Sequence, residues 1–587
     1  MALPRYRPDR SVYRLVLLLI SCAGFSGSVR GQAISRVPPK DAPPPPVTYH
    51  GLVPGVATVE DVRRELGPPA SEAAWYSWKM LYPAKGRSGH FDAIHVVSED
   101  GAEGRVGTIE AASVPPGLEN RDRVVAKLGP PEFQLDLSQQ SIADYSEHGV
   151  RFVFDRNGQT IGVAYFPHGY RRVHDGERRN VSLRHLRQGA QKVQSEAVAL
   201  TDLRCGAARA EITPLPGMLG PERIHVHDPL FARAVVLAGS GLQIALVGGD
   251  IFGMRRADVV AIEKRLRGQG IDHLIFAMSH NHSAGDPLGL GLFYPADYVT
   301  RIADGVVAAV VSAGGALQDV AELRVASDEL PLDGARVEGL FRNARNPGLL
   351  DPQIAVLRAL NAKGGTVATI VHGACHVEGL NERDDGVEIS ADFPGYLCDE
   401  LARKSGAPAI FLNGALGGMV SGDTQARTHE EAAAAGKRLA VEVERILAFA
   451  TPTQGKLSLR RVRVELPVTN PRMIAFGKLS GRATREGRLL SEMMYLRLGS
   501  VELVTIPGEL LPEVSFEILE RMTGYPRLIV GLANDQLGYI LPGYDFRAGE
   551  YEESMSVGPA AGPIVLRTAL RLLERNGSVG VEPRPGR

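Results

Sequence analysis

The stretch His273-Leu-Ile-Phe-Ala-Met-Ser-His-Asn-His-Ser-Ala-Gly-Asp286 joins an apolar run to two histidines one residue apart. Residues His273 to Met278 read as a strand, so His280 and His282 fall just past a strand end. Functional groups of an α/β sheet gather beyond the carboxyl ends of its strands. His-x-His on extended backbone places both rings on one face, so one ring can bind a metal while the other faces the substrate. The competing reading is a pair of hydrogen-bonded histidines where a strand meets a loop. Beyond this pair the chain carries thirteen of its fifteen histidines, and which of them fall at neighbouring strand ends decides between the two readings.

Working outward, strands and helices alternate from about Leu203. Gln243–Val247 reads as a buried strand ending in Gly-Gly-Asp250, Ala257–Leu266 as helix, and Ala296–Val311 as helix. Val367–Val371, Ala409–Leu412, Val501–Ile506 and Leu528–Val530 read as strands, with helices over Pro394–Lys404 and Glu430–Phe449. This alternation predicts α/β layering with helices against a largely parallel sheet. Three further strand ends carry candidate groups: His372 and His376, Glu509, and Asp535 with Tyr539. Two imidazoles, a carboxylate and one more oxygen suit Zn²⁺, which takes about four N/O/S ligands. Of His372 and His376, at most one is expected to be a ligand.

Composition narrows the class. At 587 residues, two or three domains are expected. A hydrophobic content of 44% and a net charge of −1 fit a soluble enzyme or binding protein and argue against a nucleic-acid partner. Arg5, Arg7, Arg10 and Arg14 precede the short apolar run Leu15–Ile20, the pattern of an export signal over residues 1–33. Cys22 follows Leu19-Ile-Ser, which resembles a lipobox, so acylation of Cys22 is the alternative. The expected location is the periplasm, the outer membrane surface or the medium. Cys205, Cys375 and Cys398 make no metal-binding CxxC pattern and are read as buried thiols.

A proline-rich linker (34–48) leads into an internal repeat: Pro54-Gly-Val…Leu-Gly-Pro-Pro69 is echoed by Pro116-Gly-Leu…Leu-Gly-Pro-Pro131. Each copy reads as a capped short helix stopped by Leu-Gly-Pro, with strand-like alternation after it. This pattern resembles the SmpA/OmlA-type small lipoproteins, here doubled over residues 49–170. The fold class expected is therefore α/β, a layered mixed-sheet catalytic domain with flanking helices (203–577), preceded by a small α+β domain with an internal repeat. An Arg-rich linker is placed at 171–202 and a disordered tail at 578–587.

Taken in order, the motifs of the second half resemble the neutral/alkaline non-lysosomal ceramidase family over about residues 203–575. Gly206-Ala-Ala-Arg-Ala-Glu-Ile-Thr-Pro214 is similar to its "GxxxxDITP", and His227-Asp-Pro-Leu-Phe-Ala-Arg233 to its "HDPLYAR". Ser279-His-Asn-His-Ser-Ala-Gly285 resembles "THTHSGP", Ala374-Cys-His376 resembles "ACHPT", and Ser390-Ala-Asp-Phe-Pro-Gly-Tyr396 resembles "SADYPGY". Pro507-Gly-Glu509 and Gly538-Tyr539…Glu550-Tyr551-Glu552 are similar to the late block. The resemblance implies a zinc-dependent amidohydrolase with ceramide or a related N-acyl lipid as substrate and association with membrane surfaces. It implies zinc ligation by His280, His376, Glu509 and Tyr539. His282 and Tyr551 would face the reacting amide. Asp250 is read from its position either as the group that orients a ligand histidine or as a structural carboxylate at a strand end.

Two departures qualify the resemblance. Where the family has "NxGDVSPN", this chain has Asn413-Gly-Ala-Leu-Gly-Gly-Met-Val-Ser421-Gly-Asp423, which puts Val420 at the serine position and Ser421 one residue late. Ser421 as a catalytic serine and zinc-activated water without a serine both stand. The immunoglobulin-like C-terminal domain of the family is expected to have no counterpart in this sequence.

Overall fold

A computed structural model describes residues 46–574, apart from 76, 85–90, 98–104, 137–139, 167–178, 183–201, 219–223, 240, 289–295, 333–335, 338, 347–348, 381–386, 422–426, 454–456, 472, 475–487 and 547–549. The export signal, Cys22, nearly all of the proline-rich linker and the 578–587 tail lie outside the described residues.

The N-terminal repeat forms one nine-stranded sheet. In each copy a helix, Val59–Leu66 or Arg121–Leu128, precedes a four-stranded meander. Thr58 and Asn120 cap the helices by accepting from the backbone N–H three residues on, and Gly67 and Gly129 end them with positive φ. The meanders join through their last strands, Arg105–Ala111 against Thr160–Tyr165. A ninth strand, Arg179–Ser182, pairs parallel with Phe133–Asp136, so part of the stretch read as linker belongs to the sheet.

The region from Arg204 onward rests on three sheets with one recurring plan. The first orders His273–Met278, Leu242–Gly249, Phe231–Gly239, Arg204–Glu211 and Gln318–Asp319. The second orders Ala409–Asn413, Thr366–Gly373, Gln353–Leu360, Glu322–Glu329 and Thr451–Pro452. The third orders Leu457–Pro467, Arg488–Leu498, Val501–Thr505 and Arg527–Val530. Each contains one parallel pair joined by a crossover helix, respectively Arg256–Arg267, Asp392–Ser405 and Pro512–Arg521. All other pairings in these sheets are antiparallel. The mixed, layered class holds, but the expectation of a largely parallel sheet does not. Tight turns such as Asn361–Gly365 and Gly499–Ser500 return the chain directly, and a hairpin return can only give an antiparallel neighbour.

Alternate residues of these strands serve a shared inner core and three outer ones. Val235, Ile275, Ile370, Ile410, Leu503 and Val530 meet in a cluster shared by all three sheets. Their neighbours Val236, Phe276, Val371, Phe411 and Val504 face outward under the helices. Burial on both faces explains the unbroken apolar runs in the sequence. The sheets approach closely enough that a Cβ on Gly248 would lie 2.4 Å from the Phe411 carbonyl oxygen, backbone to backbone. A Cβ on Gly531 would meet the Gly414 carbonyl at 2.2 Å. With this packing the parallel-strand ends of the three sheets open at one place. Gly248→Ala is expected to destabilise the fold by about 3 kcal/mol, since a backbone carbonyl cannot rotate aside. Urea unfolding checks it, and an unchanged midpoint would contradict the backbone contact.

Candidate metal centre

The chain leaves the first sheet at Met278 and turns sharply. His280 takes φ +63°, a left-handed conformation rare for a residue with a Cβ and a mark of a constrained site. Its backbone N–H donates to Ile251 O at 3.0 Å, and its Nδ1 lies 2.9 Å from Phe252 O. The ring stacks on Phe252, with centroids 4.4 Å apart. With Nδ1–H donated to the carbonyl, Nε2 carries the free lone pair. His376, past the end of the second sheet, is held in the same way: Nδ1 lies 2.8 Å from Leu416 O and 3.1 Å from Met419 O. Backbone carbonyls thus fix tautomer and orientation of both rings, as ligand histidines require.

Glu509 and Tyr539 come from the third sheet's strand ends. Glu509–Leu510 and Tyr539–Ile540 form a two-stranded parallel sheet in which Glu509 and Tyr539 are direct partners, so the carboxylate and the phenol stand side by side. Gln536 Nε2 donates to Glu509 Oε1 at 2.8 Å. The other oxygen, Oε2, is buried without a hydrogen bond, 3.4 Å from His280 Nε2 and 3.1 Å from His376 Nε2. Tyr539 OH lies 3.1 Å from His376 Nε2. Two imidazole nitrogens, an orphaned carboxylate oxygen and a phenol oxygen therefore converge in a buried pocket. Such a donor set fits a four-coordinate divalent ion, and Zn²⁺ in particular.

Electrostatics agree. Burial works against the Glu509 carboxylate, yet the His280 and His376 rings hold its pKa well below the usual range. Burial likewise opposes the His376 cation, but the nearby Glu509 and Glu378 carboxylates override it and raise the pKa to about 9. A site that draws this much positive charge onto a buried ring is one that a cation can occupy.

His282 sits on the rim of the same cluster, its ring centroid 4.9 Å from that of His280 and 5.9 Å from that of His376. The ligand atoms of His280, His282 and His376 all lie within 4.8 Å of one another, so His282 is within reach of the ion as well as of a substrate. Desolvation, then the neighbouring His280 and His376, push its pKa well below normal, which keeps the ring neutral. Tyr551 opens the helix Tyr551–Ser554, with its ring 6.0 Å from Tyr539 and 43% of its surface exposed. Ser421 ends the strand Met419–Ser421, paired with Phe341, and its side chain lies outside the described residues.

One expectation needs correction, and one choice left open is resolved. Asp250 does not orient a ligand histidine: it is buried in an ion pair with Arg233 and accepts from Phe231 N–H at 2.9 Å. Carbonyls take the orienting role instead. His372 points away from the centre, with Nε2 donating to Ile529 O at 2.8 Å, so the pair resolves in favour of His376. Sequence reading missed Gln536, Asn413 and Glu378. Asn413 Nδ2 donates to Ser279 O at 2.7 Å and Cys375 O at 2.8 Å, tying together the loops that carry His280 and His376. Glu378 is 2% exposed, and its Oε1 lies 3.5 Å from His282 Nε2. A carboxylate two residues beyond a candidate ligand was a signal that could have been weighed.

Among solved structures, neutral ceramidase from Pseudomonas aeruginosa superposes on 63% of this chain and 74% of its own, at 20% identity and a TM-score of 0.53. The chain has a neutral ceramidase-like fold. A second structure, a ceramidase complexed with C2, covers 63% of this chain and 75% of its own at 18% identity, also with a TM-score of 0.53. No family model matches the chain, and no curated protein does. The ceramidase-like fold agrees with the order of motifs along the second half.

Two outcomes are expected. Asn413→Ala strands two buried carbonyls, which costs about 1–3 kcal/mol, and it loosens both histidine loops. A thermal shift together with weakened zinc affinity would report this, and loss of stability with unchanged affinity would separate Asn413 from the site. Burial lowers the His372 pKa to about 4, against the opposing bond to Ile529. The neutral ring is the folded form, so this contribution is complete above the unfolded pKa and is lost as pH falls from about 6.5 toward 4, by about 3 kcal/mol in all. His372→Gln should flatten the stability profile across that window in urea titrations. An unchanged slope would place the acid sensitivity elsewhere.

Proposed function

We propose that this chain is a zinc-dependent amidohydrolase that cleaves the N-acyl bond of ceramide or a related N-acyl lipid. The observation that carries this reading is the orphaned Glu509 Oε2 facing His280 Nε2 and His376 Nε2, with Tyr539 OH beside them. His280, His376, Glu509 and Tyr539 would hold the ion. When bound, zinc supplies a Lewis acid for the amide carbonyl and lowers the pKa of a coordinated water toward about 7.

The chain's own groups do the rest. The neutral His282 ring lies beside the ligand nitrogens, where it hydrogen-bonds the developing oxyanion or takes a proton from the attacking water. Glu378, beside His282 Nε2, orients that ring. Tyr551, half-exposed and next to Tyr539, is placed to offer its hydroxyl from the open side to the acyl oxygen. Glu509 is fixed by Gln536 and does not swing into the reaction. Amide cleavage needs a proton for the leaving amine, and His282, once protonated, returns it. Water as nucleophile is preferred over Ser421, because the buried donors already present suffice.

The basic start and apolar run at Leu15–Ile20 support export, and an exported enzyme meets N-acyl lipids at membrane surfaces. Among the described residues no helix is long and apolar enough to cross a membrane.

The test uses the full chain loaded with zinc and a ceramide carrying a labelled acyl group. Fatty acid release is expected from the wild type. His376→Ala should lose both this zinc and activity by more than about 100-fold. Ser421→Ala should keep activity, and its loss would reinstate the serine. Bound zinc without cleavage of ceramide or simple N-acyl amides would overturn the hydrolase reading in favour of ligand binding.

A further inference from the structure

A second cluster of metal-ligating side chains lies outside the centre just described. His227 and Asp228 follow the strand Ile224–Val226, which pairs parallel with Val387–Ile389, and His429 is the first residue of the helix His429–Leu447. The ligand atoms of His227, Asp228 and His429 lie within 4.8 Å of one another. Each ring has a carboxylate on one nitrogen: His227 Nδ1 is 3.1 Å from Asp228 Oδ2, and His429 Nε2 is 2.7 Å from Glu388 Oε2. The second nitrogen of His429, Nδ1, is buried without a hydrogen bond, on a residue only 9% exposed. For His429, a carboxylate on one imidazole nitrogen with the other left bare is the pattern that raises ligand basicity and orients a ring toward an ion.

We propose that His227, His429 and Asp228 form a second divalent metal site, selective for Zn²⁺ or a similar borderline transition ion. Two imidazoles and a carboxylate are the donor set for such ions, whereas Ca²⁺ and Mg²⁺ demand oxygens. His227 keeps 39% of its side chain exposed, which gives the ion an entry path. The rings stack face to face, with centroids 3.5 Å apart and planes 6° from parallel. Lone pairs of parallel rings do not converge, so binding opens the stack, and Asp228 completes the site from the side. Ser390 Oγ and Tyr396 OH already donate to Asp228 Oδ2, at 2.5 and 2.8 Å, and hold that carboxylate in place.

The site would brace the catalytic loop. His227 N–H donates to Ile389 O at 2.9 Å. One residue on, Ser390 O accepts from Asn281 Nδ2 at 2.6 Å, and Asn281 lies between His280 and His282. An ion at His227 and His429 would clamp the strand Val387–Ile389 and, through Ser390, the backbone that aims the two histidines. This role goes beyond the hydrolase reading and does not require it.

The experiment is a zinc and Co²⁺ titration of the metal-stripped full chain, with metal counted by mass spectrometry and Co²⁺ followed by its visible absorption. Two equivalents are expected for the wild type, one for His227→Ala and one for His376→Ala, each variant losing a different absorption band. His227 is a half-exposed ring, so its variant should fold, and circular dichroism checks this. His429→Asn gives an independent second variant. A single wild-type equivalent lost only in His376→Ala, or a count unchanged by His227→Ala and His429→Asn, would overturn the second site. A single equivalent lost only in His227→Ala would uphold it and remove the zinc site of the proposed hydrolase.

Discussion

The side-chain amide of Asn413 is the interaction on which the candidate centre depends. It is fully buried at the end of the second sheet's parallel edge strand. Its two donors go to Ser279 O and Cys375 O, and its oxygen accepts from Cys375 N–H and Gly414 N–H. One residue thereby satisfies the broken backbone of two strand ends and of its own. Without it, the chain could not leave the first two sheets at this spot without stranding buried carbonyls. The positions of His280 and His376, each one residue past a carbonyl that Asn413 holds, follow from that single amide.

Around this knot the site is built with little freedom. Both candidate ligand rings give Nδ1–H to main-chain carbonyls, and Glu509 is tied through Gln536. Carbonyls cannot titrate, so the tautomers are fixed across the working pH range in a way that a carboxylate partner would not ensure. The group left free to respond is His282, which lies at the rim and whose ring nitrogen faces Glu378. Rigid candidate ligands beside one adaptable neighbour are the arrangement that suits a metal-binding centre.

Much of this was legible in the sequence, for an identifiable reason. A strand buried on both faces writes an apolar run, and polar residues just beyond it stand out, so His280, His376, Glu509 and Tyr539 could be found as groups at strand ends. Direction is not written in such a run: the six strands read from the sequence form the three parallel pairs, whereas their antiparallel neighbours Gln353–Leu360 and Arg488–Leu498, returned through Asn361 and Gly499, were not among them. Asp250 looked like an orienting carboxylate because it follows a strand, yet Arg233 on the adjacent strand claims it, and cross-strand partners depend on register. Gln536 and Asn413 carry no periodic signal at all. Their roles exist only once atoms from distant segments, the Glu509 carboxylate for Gln536 and main-chain carbonyls for Asn413, are brought within 3 Å.

The recurring plan of three sheets has a kinetic side. His376 and Tyr539 are 163 residues apart in the chain, and they meet only after strands from separate sheets have packed through the shared apolar core. Contacts of such long separation carry the largest loop-closure cost and form late. Until Glu509 and Tyr539 have paired, the two histidine loops present bare imidazoles and no closed cage. An ion captured in that cage is therefore held by a finished molecule, and its presence distinguishes a completed fold from any shorter or partly assembled one.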